Sequence, residues 1–270
     1  MTGVQGEAHT ASEQTSAASE QTSAAAGQTS VAAEPASVAS GRGRVASWLA
    51  GRNGAMYGLL GLASAACVVL VVARALHTHS NHFDFLVWNL FLAWIPLGLA
   101  ALAWRQAQRS GALARVLIVP TAIVWLLFFP NAPYIVTDFV HIGQFHDSAP
   151  IWFDVMLVAW FAWTGMLLGV FSLRLMQDIV SRAMGAGAGW ALVFVVTVLG
   201  SVGIYFGRFL RWNSWNVFQA PLALYDKAFD RANQPDAGER MLGFTVLFAL
   251  LFLFVYAAVY VVGRGRDERL

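Results

Sequence analysis

Six stretches of this chain are apolar over the roughly 20 residues that a helix needs to cross a bilayer. They lie near 56–76, 85–104, 113–130, 152–173, 190–210 and 241–262. Inside hydrocarbon no water serves the backbone, so such stretches fold as helices that satisfy their own N–H and C=O groups. The fold class that follows is all-α: a polytopic transmembrane helix bundle of about six spans. The balance of residues agrees. Of 270 residues, 58% are hydrophobic and only 12% are charged, whereas soluble domains carry about 25% charged residues. A net charge of +2, with no basic stripe, argues against nucleic acid as a partner. The partner that the composition does imply is the lipid bilayer. Trp88, Trp104, Trp152, Trp190 and Trp212 stand at the ends of apolar runs, as an interfacial belt requires. Cys67 is the single cysteine. It lies within an apolar run, matches no metal or redox spacing, and reads as a packing residue.

Two regions are expected, a low-complexity tail over 1–40 and a transmembrane helical domain over 41–270. Residues 11–38 repeat a seven-residue unit (ASEQTSA, ASEQTSA, AAGQTSV, AAEPASV). The period is that of a coiled coil, but the large apolar seam residues are missing. The composition predicts disorder. No basic region leads directly into an apolar core and cleavage site, so the tail does not read as a secretory signal.

Orientation follows from Lys and Arg. Arg42, Arg44 and Arg52 precede the first span, Arg105, Arg109 and Arg115 follow the second, Arg174 and Arg182 follow the fourth, and Arg264, Arg266 and Arg269 close the chain. A six-span path puts all of these on one side. The segments 77–84 and 131–151 on the other side have no Lys or Arg. Both termini are therefore expected in the cytoplasm. The 211–240 loop, with Arg211, Lys227, Arg231 and Arg240, is the exception. Within it Phe218, Leu222, Tyr225 and Phe229 recur at helical spacing, which predicts a short helix lying on the bilayer surface or on the bundle. Pro96 and Pro120 fall inside spans two and three and are expected to kink them. Gly165 and Gly169, and Gly200, Gly203 and Gly207, have the small-xxx-small spacing that lets helices approach closely.

The polar groups inside or beside the spans gather on the outer side. The stretch Phe128–His141 (FFPNAPYIVTDFVH) carries two prolines three apart, which predicts a broken helix. Asn131 suits the N-cap of a new helix and Pro133 its first turn. In that helix Tyr134, Asp138 and His141 fall at i, i+4 and i+7, on one face. A carboxylate beside an imidazole suits an orienting pair for a general base or a metal ligand, so Asp138 and His141 are the candidate catalytic residues. Asp154 opens span four, where it either answers the helix dipole or serves a site. Tyr205, Arg208 and Arg211 are three apart at the end of span five. With Asn213 they suit an anion site, or partners for Asp138 and Asp154. The candidate substrate-binding residues are thus Asn131, Tyr134, Asp154, Tyr205, Arg208, Arg211 and Asn213. Asn89, a turn into span two, is expected to bond another helix. His77, His79 and His82 crowd the first outer loop without the spacing of a metal motif. No metal and no cofactor is implied.

Four blocks of this sequence resemble an uncharacterised bacterial membrane family, the domain of unknown function 1361. They are Asn89–Pro96 (NLFLAWIP), Phe129–His141, Trp152–Asp154, and Gly207–Trp215 (GRFLRWNSW). The resemblance covers roughly residues 57–262. It implies a multi-pass protein of the bacterial plasma membrane and supplies no substrate.

Three classes of function compete on these residues. One is a membrane protein with an outward-facing polar site, binding or acting on an anionic or lipid-linked small molecule. No nucleophile elbow or zinc-protease helix accompanies it. The second is a transporter or sensor with its site at the broken helix near Pro130 and Pro133. The third is a structural or assembly protein whose polar groups lock helices together.

Overall fold

A computed structural model describes residues 52–109, 111–143, 149–209 and 237–267. The tail over 1–40, the surface-helix stripe of 218–229, and Arg211 and Asn213 lie outside the described residues. The described residues from Leu60 onward belong to one compact unit, and the start of the first helix, 52–59, falls outside it.

The described elements are helical throughout. They run α1 (Arg52–Thr78), α2 (Asp84–Ala107), α3 (Ala112–Phe128), α4 (Asn131–Tyr134), a 3-10 segment (Ile135–His141), α5 (Ile151–Met184), α6 (Ala186–Phe209) and α7 (Ala237–Asp267). Among them six helical stretches are long and apolar enough to cross a membrane: Gly54–Thr78, Asp84–Ala107, Val116–His141, Ile151–Met184, Ala186–Phe209 and Gly238–Gly263. Their outward faces are apolar, with Leu62 69% and Leu247 and Phe254 each 73% exposed. A surface of that kind requires a bilayer around it. The protein is a multi-pass membrane protein.

The observed spans start within a few residues of the expected ones, but two run on further: the fourth continues past 173 to Met184, and the third past 130 to His141. The third helix does not stop at Pro130, because the prolines change the turn without ending it. Pro130 and Ile135, on either side of α4, keep right-handed helical backbone angles. Pro133 has no N–H to give the Phe129 carbonyl, and the Ala132 N–H takes that carbonyl instead, at 3.2 Å. The Phe128 carbonyl thereby loses the N–H it would have in an α-helix. The Asn131 amide nitrogen donates to it at 2.9 Å. Asn131 therefore does not cap a new helix. Its side chain reaches back and closes the gap that the prolines open.

That turn is seated in glycine. A methyl group on Gly165 would stand 2.5 Å from the Ala132 carbonyl oxygen and 2.9 Å from Ile135 Cδ1. One on Gly203 would stand 2.9 Å from the Pro130 ring, and one on Gly200 3.0 Å from Phe129. The small-xxx-small spacing of α5 and α6 thus serves a specific guest, the Phe129–Ile135 turn. Elsewhere single hydrogen bonds tie the apolar helices together, as polar side chains do in membrane bundles. Trp125 Nε1 donates to Ser172 Oγ at 2.7 Å, Trp94 Nε1 to Ser64 Oγ at 3.0 Å, and Cys67 Sγ lies 3.6 Å from Thr164 Oγ1. Cys67 is fully buried there, in the packing role expected of it.

Candidate functional site

After α4 the chain tightens to a 3-10 helix with three residues per turn. Side chains three apart then eclipse each other. Ile135 and Asp138 share the buried face, and His141 follows on the same row. The expected i, i+4, i+7 face of a regular α-helix is not what forms. Tyr134 joins the cluster by reaching Arg208 rather than by sharing that face.

Asp138 is 0% exposed. Its Oδ2 accepts from Asn89 Nδ2 of α2 at 2.9 Å. Its Oδ1 accepts from Arg208 Nη1 of α6 at 3.0 Å. The same Nη1 lies 3.3 Å from the Tyr134 hydroxyl, and the guanidinium carbon stands 5.7 Å from the Tyr134 ring centroid. Asn89, Tyr134, Asp138 and Arg208 therefore make one network across three spans. Arg208 Nη2 is buried and has no hydrogen-bond partner among the described residues. His141 packs edge-on against Phe85, ring centroids 5.0 Å apart.

Asp154 does not belong to this network. Arg74, near the end of α1, holds it in a fork, Nε to Oδ1 at 2.6 Å and Nη2 to Oδ2 at 3.2 Å. Arg74 also reaches Ser80 Oγ at 3.2 Å and lies 4.4 Å from the Phe83 ring centroid. Sequence reasoning missed Arg74, which sits inside an apolar run. The signal was present: an arginine within a span requires an acid at its own depth, and Asp154 opens span four.

The two ion pairs lie at different heights. Gly165 of α5 marks the level of Ile135. From there Asp154 is 11 residues away along α5, about 16 Å, whereas Asp138 is one 3-10 turn away, about 6 Å. Measured along α2 the gap is similar. Phe83 lies under Arg74 and Asn89 comes six residues later, about 9 Å. The first charged residues met from either end of α5 are Asp154 and, on the far side, Arg182, Asp178 and Arg174. From Asp154 to Arg174 is about 30 Å of helix, the thickness of a hydrocarbon core. The Asp138–Arg208 pair then sits about 10 Å inside that layer. At such depth a charge needs a partner.

The other candidate residues take different positions. Tyr205 packs its ring, tilted, against Phe209 and Phe244, centroids 4.7 and 5.8 Å away, rather than joining Asp138. Asn131 serves the proline turn. His77 lies in the last turn of α1, His79 and His82 lie on the connection that follows, and all three are exposed. His79 has a left-handed φ of 53°. Among the described residues no group of three or more His, Cys, Asp or Glu side chains converges as metal ligands would.

Residues 88–255 match the family described as protein of unknown function (DUF1361). The match takes in Asn89, the proline turn, Asp138, Asp154 and Arg208. The chain belongs to this family. No curated protein and no solved structure matches the chain. The DUF1361 match begins after Arg74, so the α1 half of the Arg74–Asp154 pair falls outside it, whereas every member of the Asp138 network falls inside.

Proposed function

We propose that this DUF1361 protein is a bacterial plasma-membrane protein with both termini in the cytoplasm, and that Tyr134, His141 and Arg208 belong to an outward-facing site binding an anionic or lipid-linked molecule. The orientation rests on the Arg asymmetry of the connections. The site rests on one observation above all: Arg208 Nη2 is a buried cationic donor with no hydrogen-bond partner among the described residues, in the guanidinium that faces the Tyr134 hydroxyl. Buried donors are nearly always served by protein, water or ligand. Asp138 supports this reading as a holder. Both of its oxygens are occupied and it is closed to solvent, so it fixes Arg208 rather than exchanging protons. A proton-transfer version of the site would therefore centre on His141.

The same burial favours a second reading, a closed structural lock with no ligand. A charge cycle separates the two. Asp138→Asn or Arg208→Gln alone strands a buried partner, at a cost of about 3–5 kcal/mol. The double variant strands no charge and regains most of that stability in either reading. Under the binding reading the double variant, though stable, fails to complement a deletion strain in whatever growth defect the deletion produces. Full complementation by the double variant would leave only the lock.

A further inference from the structure

The Arg208 cluster also constrains the chemistry of what it holds, given the reading that Tyr134 and Arg208 bind a ligand. Arg208 and Asp138 neutralise each other at 3.0 Å. Among the described residues the Arg208 Nη2 hydrogens are left over, as is the hydroxyl proton of Tyr134, whose oxygen already faces Arg208 Nη1. Together they require an acceptor oxygen, yet the charge that would favour a full anion has been spent on Asp138. A second carboxylate or a phosphate at this depth would bring in an uncompensated charge. The surroundings point the same way. Next to the two members of the pair, Phe139, Val140 and Phe209 are 40%, 56% and 50% exposed. These chain neighbours present apolar side chains at the surface, so at this depth a ligand meets the protein from within the bilayer more readily than from water.

We infer that this site accepts the ester carbonyl oxygen of an acylated lipid, which is an uncharged acceptor carried on an apolar body. The Arg208 Nη2 group and the Tyr134 hydroxyl donate to that oxygen, and Asp138 and Asn89 hold Arg208 in place. A neutral diester such as a diacylglycerol carries the required atom and nothing that the site rejects. Its ether counterpart has the same shape but lacks the carbonyl.

The test uses the full chain, purified in an ester-free maltoside detergent, with unfolding followed by tryptophan fluorescence. The probes are dioctanoylglycerol, its dioctyl ether analogue at the same mole fraction, inorganic phosphate and pyrophosphate. A ligand present well above its dissociation constant raises the melting temperature by about 3 °C or more. The ester is expected to do so, and the ether and both phosphates are not. Tyr134→Phe, which removes one donor and no charge, is expected to shrink the ester shift. Arg208→Lys, which keeps the cation but removes the second nitrogen, is expected to abolish it. Equal shifts from ester and ether overturn the inference, as does an ester shift unchanged in Tyr134→Phe. A shift with phosphate or pyrophosphate that Arg208→Lys abolishes overturns the ester while leaving a binding site. No shift with any probe overturns both.

Discussion

Gly165→Ala tests whether the proline turn positions the polar network. The added methyl would stand 2.5 Å from the Ala132 carbonyl oxygen and 2.9 Å from Ile135 Cδ1. Carbon and carbonyl oxygen approach to about 3.3 Å in ordinary packing, so α5 and the turn must part by about 0.8 Å. The obstacle is backbone, which cannot swing aside as the tip of a long side chain can. Overpacking of this kind costs about 1–3 kcal/mol. The displacement also reaches the network, because Asp138 lies one 3-10 turn beyond Ile135. A parting of that size would stretch its bonds to Asn89 and Arg208, now 2.9 and 3.0 Å, to about 3.7 Å, beyond hydrogen-bonding range. A hydrogen bond to a charged group contributes about 1.5–3 kcal/mol. Partial relaxation shares these costs, and we expect a net loss of about 2–4 kcal/mol. For a chain of this size that is a fall of about 5–15 °C in melting temperature. The assay is thermal unfolding of the detergent-purified protein, with Gly98→Ala as the control. Gly98 lies inside α2 with nothing within 4 Å of its would-be methyl. Alanine there gains about 0.5–1 kcal/mol from helix propensity. A Gly165→Ala protein melting within about 2 °C of wild type would show that the turn is not held by close contact with α5.

In a protein whose Cys67 has been replaced by Ala, an impermeant thiol reagent added to whole cells is expected to label Asn81→Cys and not Arg109→Cys, both of which are exposed positions. Labelling at 109 would refute the proposed orientation. Asp154→Asn is expected to lose about 3–5 kcal/mol in a denaturation series because it strands Arg74, and Asp154→Leu combined with Arg74→Met to recover most of it. If the double loses as much as the single, Arg74 has other work beyond the pair. Deleting residues 2–40 is expected to leave membrane level and melting temperature unchanged, since the repeats hold too little apolar surface to offset ordering. A clear fall in either would show that the tail docks.

The number and character of the spans, and where each begins to within a few residues, were legible in the sequence because a bilayer imposes one rule on every segment. About 20 apolar residues must form a helix, and Leu, Val, Phe and Ala state that rule residue by residue. The close-approach glycines were legible for the same local reason. What they approach was not. Gly165, Gly200 and Gly203 receive the Phe129–Ile135 turn, and a spacing along one helix does not name its neighbour. The Pro130–Pro133 stretch read as a break, because proline removes donors. Only the folded chain shows how Ala132 and the Asn131 side chain supply the carbonyls that the prolines leave, so that the span runs on to His141. Asp138, Arg208, Tyr134 and Asn89 each stood out as polar groups in apolar surroundings. Their assembly into one network, and the assignment of Asp154 to Arg74 about 10 Å further along the helices, depended on depth and facing across separate spans. A sequence carries those only indirectly, because an ion pair is decided by which helices touch and at what height. Local composition sets neither.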